Sequence, residues 1–376
     1  MTKKIGIIAA PGLAKRLANI YYDTLPDILN KQFDENEEWH IETIEDPLAG
    51  SAESVYEIHS VIETYINNHD WDYIVSLTDL PIFEDKNVVA VDINKTNGAI
   101  IISLPAYGWR PLRKRVGQTI AESIRVVAHS YSTVHSDSKG KVINKNLQKQ
   151  FPLAPLKVID TAVGNDDTVH LRYLVEPHLN GSIRLVIGMT FANNPLNMMR
   201  SLNNSVALAF TTGAFGLVFT TMWNLSYIFS NLRLLSISIA AIVAMVLWIV
   251  LAHQLWEKPP KNQSKRITHL YNFTTIVTLL VSVFIYYLTL MLLFLITAVT
   301  IIPPDFLGKT IGLSGLAGPV NYIELAWFAA SIAIVAGTIG VGLTNVTLVK
   351  ESTYGYRQLE RYKQREELAQ EEDNNN

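Results

Sequence analysis

Met1-Thr-Lys-Lys-Ile-Gly-Ile-Ile-Ala-Ala-Pro-Gly12 is followed by Leu13, Leu17, Ile20, Tyr21 and Leu25 at helical spacing. An apolar run that stops at Pro-Gly predicts a strand buried on both faces over residues 4–10, a tight turn, and a helix beyond it. The run is short, and Lys15, Arg16 and Asp23 follow too soon for a signal peptide, so the N-terminal half is expected to stay out of the secretory route.

The same rhythm continues outward from this stretch. A second strand is predicted from Trp39 to Ile44, then a helix from about Ser51, a candidate cap, with Val55, Ile58, Val61, Ile62 and Ile66 on one side. Tyr73–Leu77 reads as a third strand. Val88–Ile93 and Ala99–Leu104 read as two more, joined through Asn97-Gly98, a hairpin-turn pair. From Pro111 an amphipathic helix carries Val116, Ile120, Ile124 and Val127. Residues 131–155 read as a polar surface loop, Val158–Thr161 and Val169–Val175 as short strands, and Ile183–Phe191 as either helix or strand. Residues 1–200 are therefore expected to form an α/β domain with a mixed sheet and βαβ units.

Composition changes sharply after this domain. Of 31 Lys+Arg and 34 Asp+Glu, residues 1–204 hold 20 and 24, which leaves the second half poor in charge. Ser205–Phe229, Leu234–Trp256, Tyr271–Ile302 and Leu325–Val349 each exceed the roughly 20 residues needed to cross a bilayer core. Trp223, Tyr227, Trp256, Tyr271, Tyr322 and Trp327 lie near their ends, as interfacial aromatic belts do. An all-α, four-helix transmembrane domain is expected over 205–349, followed by a charged tail over 350–376. Arg200, the 258–266 link and the tail carry ten basic residues against Arg233 and Lys309 in the other two links. The positive-inside rule then puts both termini and the α/β domain in the cytoplasm. The lipid bilayer is the expected partner. A net charge of −3 makes nucleic acid an unexpected one, and homo-oligomerisation stays open.

Candidate chemistry gathers at the sheet edge. Gly12 opens a helix with Lys15 and Arg16 in its first turn, and exposed amides at a helix start bind anions. No Gly-Lys-Ser/Thr follows, and there is no G-x-G-x-x-G, so neither a Walker loop nor a dinucleotide fold is written here. Asp79 follows the third strand at the edge where open α/β sheets bind ligands, and Asp92 lies near the end of the next strand. The two carboxylates would serve acid–base or cation chemistry if they converged. Gly12, Lys15, Asp79 and Asp92 are thus the candidate site for a small anionic ligand. The chain has no cysteine, and its nine histidines show no H-x-x-x-H or H-E-x-x-H spacing, so no metal site is expected and most histidines read as surface or capping residues. No cofactor is specified. Gly337 and Gly340 lie in small-residue rows with Ala329, Ala333 and Ala336, a helix-packing pattern. His253 and Glu324 sit at span ends and read as interfacial anchors. Thr211, Thr212, Thr220, Thr221 and Asn224 would line a pore unless they bond back to their own helix.

His253-Gln-Leu-Trp-Glu257, Leu270-Tyr-Asn272, Ile302-Pro-Pro304, Leu325-Ala-Trp327 and Tyr354-Gly-Tyr-Arg357, with Leu77-Thr-Asp-Leu-Pro81 and Ser103-Leu-Pro105 before them, resemble an uncharacterised family of multi-pass membrane proteins seen mainly in Gram-positive bacteria. The resemblance spans most of the chain. Some members carry the label 5,10-methylene-tetrahydrofolate dehydrogenase, but neither a dinucleotide glycine fingerprint nor a Tyr-x-x-x-Lys pair is present, and no catalytic residue carries over. Whether the protein is an enzyme stays open. Three functions are expected in order: a ligand-sensing cytoplasmic domain coupled to a membrane domain, a regulated channel or transporter, and a membrane-anchored enzyme.

Overall fold

The computed structural model describes residues 2–33, 38–47, 55–109, 112–132, 145–152, 154–163, 168–258, 265–340, 350, 353, 354, 356 and 363. Residues 1–192 belong to one compact unit and residues 193–357 make up a second.

The first unit is built on an eight-stranded mixed sheet: β1 (Thr2–Ala9), β2 (Glu38–Glu45), β3 (Tyr73–Thr78), β4 (Ile82–Glu84), β5 (Asn87–Asn94), β6 (Ala99–Ser103), β7 (Leu156–Val163) and β8 (Thr168–Val175). Its order is β2-β1-β3-β6-β5-β8-β7, with β4 paired to β5. β2, β1, β3 and β6 run parallel, while β6, β5, β8 and β7 alternate in direction. Ile5, Ile7 and Ile8 have no exposure, as expected of a parallel strand covered on both faces. The first helix, α1 (Leu13–Asn30), connects β1 to its neighbour on one side. The second, α2 (Val55–Asn68), carries the chain from β2 across to β3. The two connections run in opposite directions along the sheet, and the right-handedness that such crossovers follow puts these helices on opposite faces. α2 lays Val55, Ile58 and Ile62 on Ile8, Ile74, Ala99 and Ile101.

Most of the elements expected from sequence are present. Gly98, at φ 74°, closes the β5–β6 hairpin, and Val116, Ile120, Ile124 and Val127 line the buried side of α3 (Leu112–Ser132). The ambiguous segment is helical, α4 (His178–Ala192). β4 was not expected. The proposed loop 131–155 is ordered at its end, where Leu147 and Phe151 are fully buried. Residues 133–144 lie outside the described residues, as does Ser51.

The second unit is helical: α5 (Pro195–Ser201), α6 (Asn203–Leu217), α7 (Thr220–Ile228), α8 (Asn231–Ala252), α9 (Lys265–Ile301), α10 (Pro304–Thr310) and α11 (Pro319–Gly340). Among the described residues α8, α9 and α11 are long and apolar enough to cross a membrane. The first apolar segment is not the single straight span expected. It breaks at Val218-Phe219 into α6 and α7, bent by 91°, so the spans number three, or four if the pair counts as one. α11 starts at Pro319, before the expected Leu325, and residues 341–349 lie outside the described residues.

Helices in lipid gain nothing from apolar burial against one another, so close packing and polar contacts hold them. Both are visible here. The hydroxyls of Ser238 (α8), Tyr287 (α9) and Ser331 (α11) lie within 2.8–3.0 Å of one another, and Trp327 Nε1 donates to Ser238 Oγ at 2.7 Å. Gly337 packs where a Cβ would run into the Tyr286 hydroxyl and lie 3.0 Å from Ala209 Cβ. Asn272 locks the chain after α8 to α9, its amide oxygen accepting from Glu257 N and its amide nitrogen donating to Glu257 O.

Candidate functional site

Two places in the α/β unit carry chemistry, and sheet register separates them. The first is the carboxyl edge between β1 and β3. These strands are hydrogen-bonded neighbours, with Ala9 opposite Leu77 and Ala10 N donating to Leu77 O at 3.0 Å. The order β2-β1-β3 reverses direction at this point, which is where doubly wound sheets open a crevice. Gly12 lies on this edge at φ 93° and ψ −118°, a region open essentially to glycine alone. It opens α1 with no side-chain cap and no acidic residue in the first turn. Lys15 Nζ pairs with Glu45 Oε2 at 3.1 Å, so its charge is already partly matched. Asp79 follows β3 on the same edge and is completely buried. Its turn is held by Leu80 N donating to Thr78 Oγ1 at 3.1 Å and by Ser103 Oγ donating to Leu80 O at 2.8 Å.

Asp92 does not join this edge. β5 runs antiparallel to β6, so Asp92 pairs with Ile101 in mid-sheet, two strands away from β3 and about 10 Å inside the edge that Asp79 occupies. The two carboxylates therefore do not converge, because the hairpin turn at Gly98 reverses the chain between them.

Asp92 instead forms the second place. It stands opposite Arg172 of β8, and His170 lies two residues earlier on the same face. His59 reaches in from α2, where its position continues the apolar stripe of Val55, Ile58 and Ile62. Asp92 Oδ2 lies 2.8 Å from His59 Nε2 and 2.9 Å from His170 Nδ1, while Arg172 Nε donates to Oδ1 at 2.7 Å. Arg172 Nη1 also pairs with Glu84 Oε2 of β4. The imidazole rings meet edge to face, 4.6 Å apart at 81°. Asp92 has no exposure and His59, His170 and Arg172 have 6%, 4% and 1%. Burial pushes the Asp92 carboxyl up. The hydrogen bonds from His170 and His59 and the charges of His59 and Arg172 outweigh it and hold the carboxyl well below the usual carboxylate range.

Sequence reasoning found Asp92 but missed His59, His170, Arg172 and Glu84. A signal was present, since both β5 and β8 are buried strands that each carry one charge, Asp92 and Arg172. Charges in neighbouring buried strands must pair. In the membrane unit Thr211 and Thr212 bond back to Ala207 O and Leu208 O at 2.8 Å, and Asn224 to Thr220 O at 3.0 Å. Gly340 ends α11. His253 is buried at the C-terminus of α8.

No known protein family, curated protein or solved structure matches this chain.

Proposed function

We propose that the chain is a multi-pass protein of the bacterial cytoplasmic membrane whose α/β unit is a cytoplasmic domain that senses a small anionic ligand. This reading counts α6–α7 as one of four spans, puts both termini in the cytoplasm, and includes kinship with the Gram-positive membrane family. The observation that carries it is the adjacency of β1 and β3, which brings Gly12 and Asp79 to one crevice-forming edge. The start of α1 has no side-chain cap; Lys15 N is held by Ala10 O, so the amides proposed for an anionic group are those of Leu13 and Ala14, with Lys15 and Arg16 beside them. Asp79 and Asp46 are buried at the same edge, Asp46 accepts from the Tyr65 hydroxyl at 3.0 Å and Glu45 pairs with Lys15, so the anionic group itself, a phosphate such as sugar phosphates and nucleotides carry, is what this edge is proposed to read. Thr211, Thr212 and Asn224 bond to their own helices, which takes three of the five candidate pore-lining groups away from the channel alternative.

The test is thermal unfolding of the full chain in detergent with inorganic phosphate, sugar phosphates and nucleotides. A ligand at a hundred times its Kd stabilises by about 2.7 kcal/mol. Gly12→Val should weaken that response by straining the backbone, since a Cβ there meets nothing within 4 Å. If no phosphorylated compound shifts the transition, the sensing role is wrong. Reporter fusions after residue 200 and at the C-terminus should both report cytoplasm; an exterior signal from either refutes the four-span topology.

A further inference from the structure

We propose that His59, Asp92 and His170 form a binding site for a divalent transition metal with zinc-like preferences, built into the sheet face under α2. This site lies in mid-sheet and does not depend on the ligand edge at Gly12.

The donor set comes first. Two imidazoles and one carboxylate, from α2, β5 and β8, place one ligand atom each within 4.8 Å of one another, and all three residues are buried. Nitrogen-rich sets of this kind favour Zn2+ and its first-row neighbours over Mg2+ or Ca2+, which prefer all-oxygen shells. The geometry is near what a metal requires. His59 Nε2 and His170 Nδ1 both address the same oxygen, Oδ2, at 2.8 and 2.9 Å. Metal–ligand bonds of about 2.0–2.2 Å in a tetrahedron separate the ligand atoms by about 3.3 Å, so opening each contact by about 0.5 Å admits the ion.

The surrounding charges decide the rest. Arg172 would oppose a cation if it shared Oδ2, but its Nε binds Oδ1 at 2.7 Å and leaves Oδ2 to the two histidines. An outer partner on the far oxygen is how ligating carboxylates are normally oriented. Glu84 pairs with Arg172 in turn. A metal takes its imidazoles deprotonated, and Asp92 and Glu84 against Arg172 then leave one net negative charge, which a divalent ion converts to one positive. Three protein ligands leave a fourth position, the arrangement of zinc sites that hold a water or substrate.

The experiment uses tag-free full-length protein in detergent, stripped with chelator and titrated with Zn2+, and separately with Co2+. One equivalent of Zn2+ should be retained through gel filtration and raise the thermal transition, and Co2+ should give the strong visible absorption of a four-coordinate centre. His59→Gln and His170→Gln, each checked by circular dichroism, should weaken Zn2+ binding by more than roughly 100-fold. Absence of retained Zn2+, a weak octahedral Co2+ spectrum, or retention unchanged in both variants would overturn the proposal. If one variant fails to fold, the other and the parent's Co2+ spectrum still decide it.

Discussion

Replacing Asp92 by Asn keeps shape and removes charge, and its cost follows from the three contacts that the carboxylate makes. Its two oxygens face Arg172 Nε on one side and two imidazole nitrogens on the other. An amide presents its NH2 to one of these sides, so it either meets the Arg172 donor or obliges the imidazoles to take the tautomer that accepts, and in both cases the charge facing Arg172 Nε is gone. Arg172, with 1% exposure, then keeps Glu84 as its remaining carboxylate. Breaking a buried ion pair in this way costs about 3–5 kcal/mol. For a unit of this size each kcal/mol moves the transition by about 2–4 °C, so the expected fall is about 6–20 °C. The chain has no cysteine, which provides a clean reporter for this unit alone. Ser123 is fully buried in α3, and its hydroxyl has no hydrogen-bond partner among the described residues. Ser123→Cys is nearly isosteric and gives a thiol that reacts only when the unit opens. Its labelling temperature should fall by the stated amount in Asp92→Asn. Adding Arg172→Met should recover part of the loss, because the second change removes a buried guanidinium that has lost one of its two carboxylates. A shift below about 2 °C, or a double variant as poor as the sum of the singles, would show that the cluster does not hold the sheet together.

Gly337→Leu should insert normally but weaken helix assembly by about 1–3 kcal/mol in a denaturing-detergent titration, because its side chain must enter the space of the Tyr286 hydroxyl and Ala209. An unchanged titration would mean that α11 does not pack through this row. Tyr287→Phe, which removes a hydroxyl shared with Ser238 and Ser331, should cost about 0.6–1.7 kcal/mol in the same assay. No loss would make the polar knot dispensable. At Asp72 burial pushes the carboxyl up, but the Lys3 ammonium at 2.8 Å and the Lys4 amide at 2.9 Å hold it below its ordinary value. Its stabilisation is therefore present above about pH 3.9 and lost as pH falls through the depressed folded-state value. The Asp72 side chain is 34% exposed, so solvent screening keeps the effect of Asp72→Asn below about 1 kcal/mol at neutral pH; a difference from the parent that grows in acid would contradict this assignment.

The parts of the fold legible in sequence are those written in local periodicity. Ile5–Ala9 ends at a turn, the α1 stripe repeats at helical spacing, and Asn97-Gly98 specifies its own hairpin. Ile183–Phe191 was ambiguous because an apolar stretch broken only by Arg184 and Thr190 satisfies either period, and packing decided it as helix. The break at Val218-Phe219 follows Gly216 by two residues, and a single glycine inside an apolar run is too weak a signal to mark the bend between α6 and α7. The Gly12–Asp79 edge could be drawn once β1 and β3 were assumed adjacent. The His59–Asp92–His170 cluster could not, because its members are 33 and 78 residues apart and meet only through strand order. What sequence did hold was the anomaly of a lone acid in one apolar strand and a lone base in another.

The β5–β8 pairing also has a consequence in time. At ribosomal speeds of about 5–20 residues per second, the residues between Asn94 and Thr168 take about 4–15 s to emerge. For most of that interval the sheet lacks only β7 and β8, and Val88–Ile93 is an open, apolar edge of the sort that recruits neighbouring chains. An inward-pointing charge is a standard defence of such an edge. Asp92 is that charge while the chain is still being synthesised, and β8 arrives with the arginine and histidine that neutralise it only when the edge no longer needs guarding.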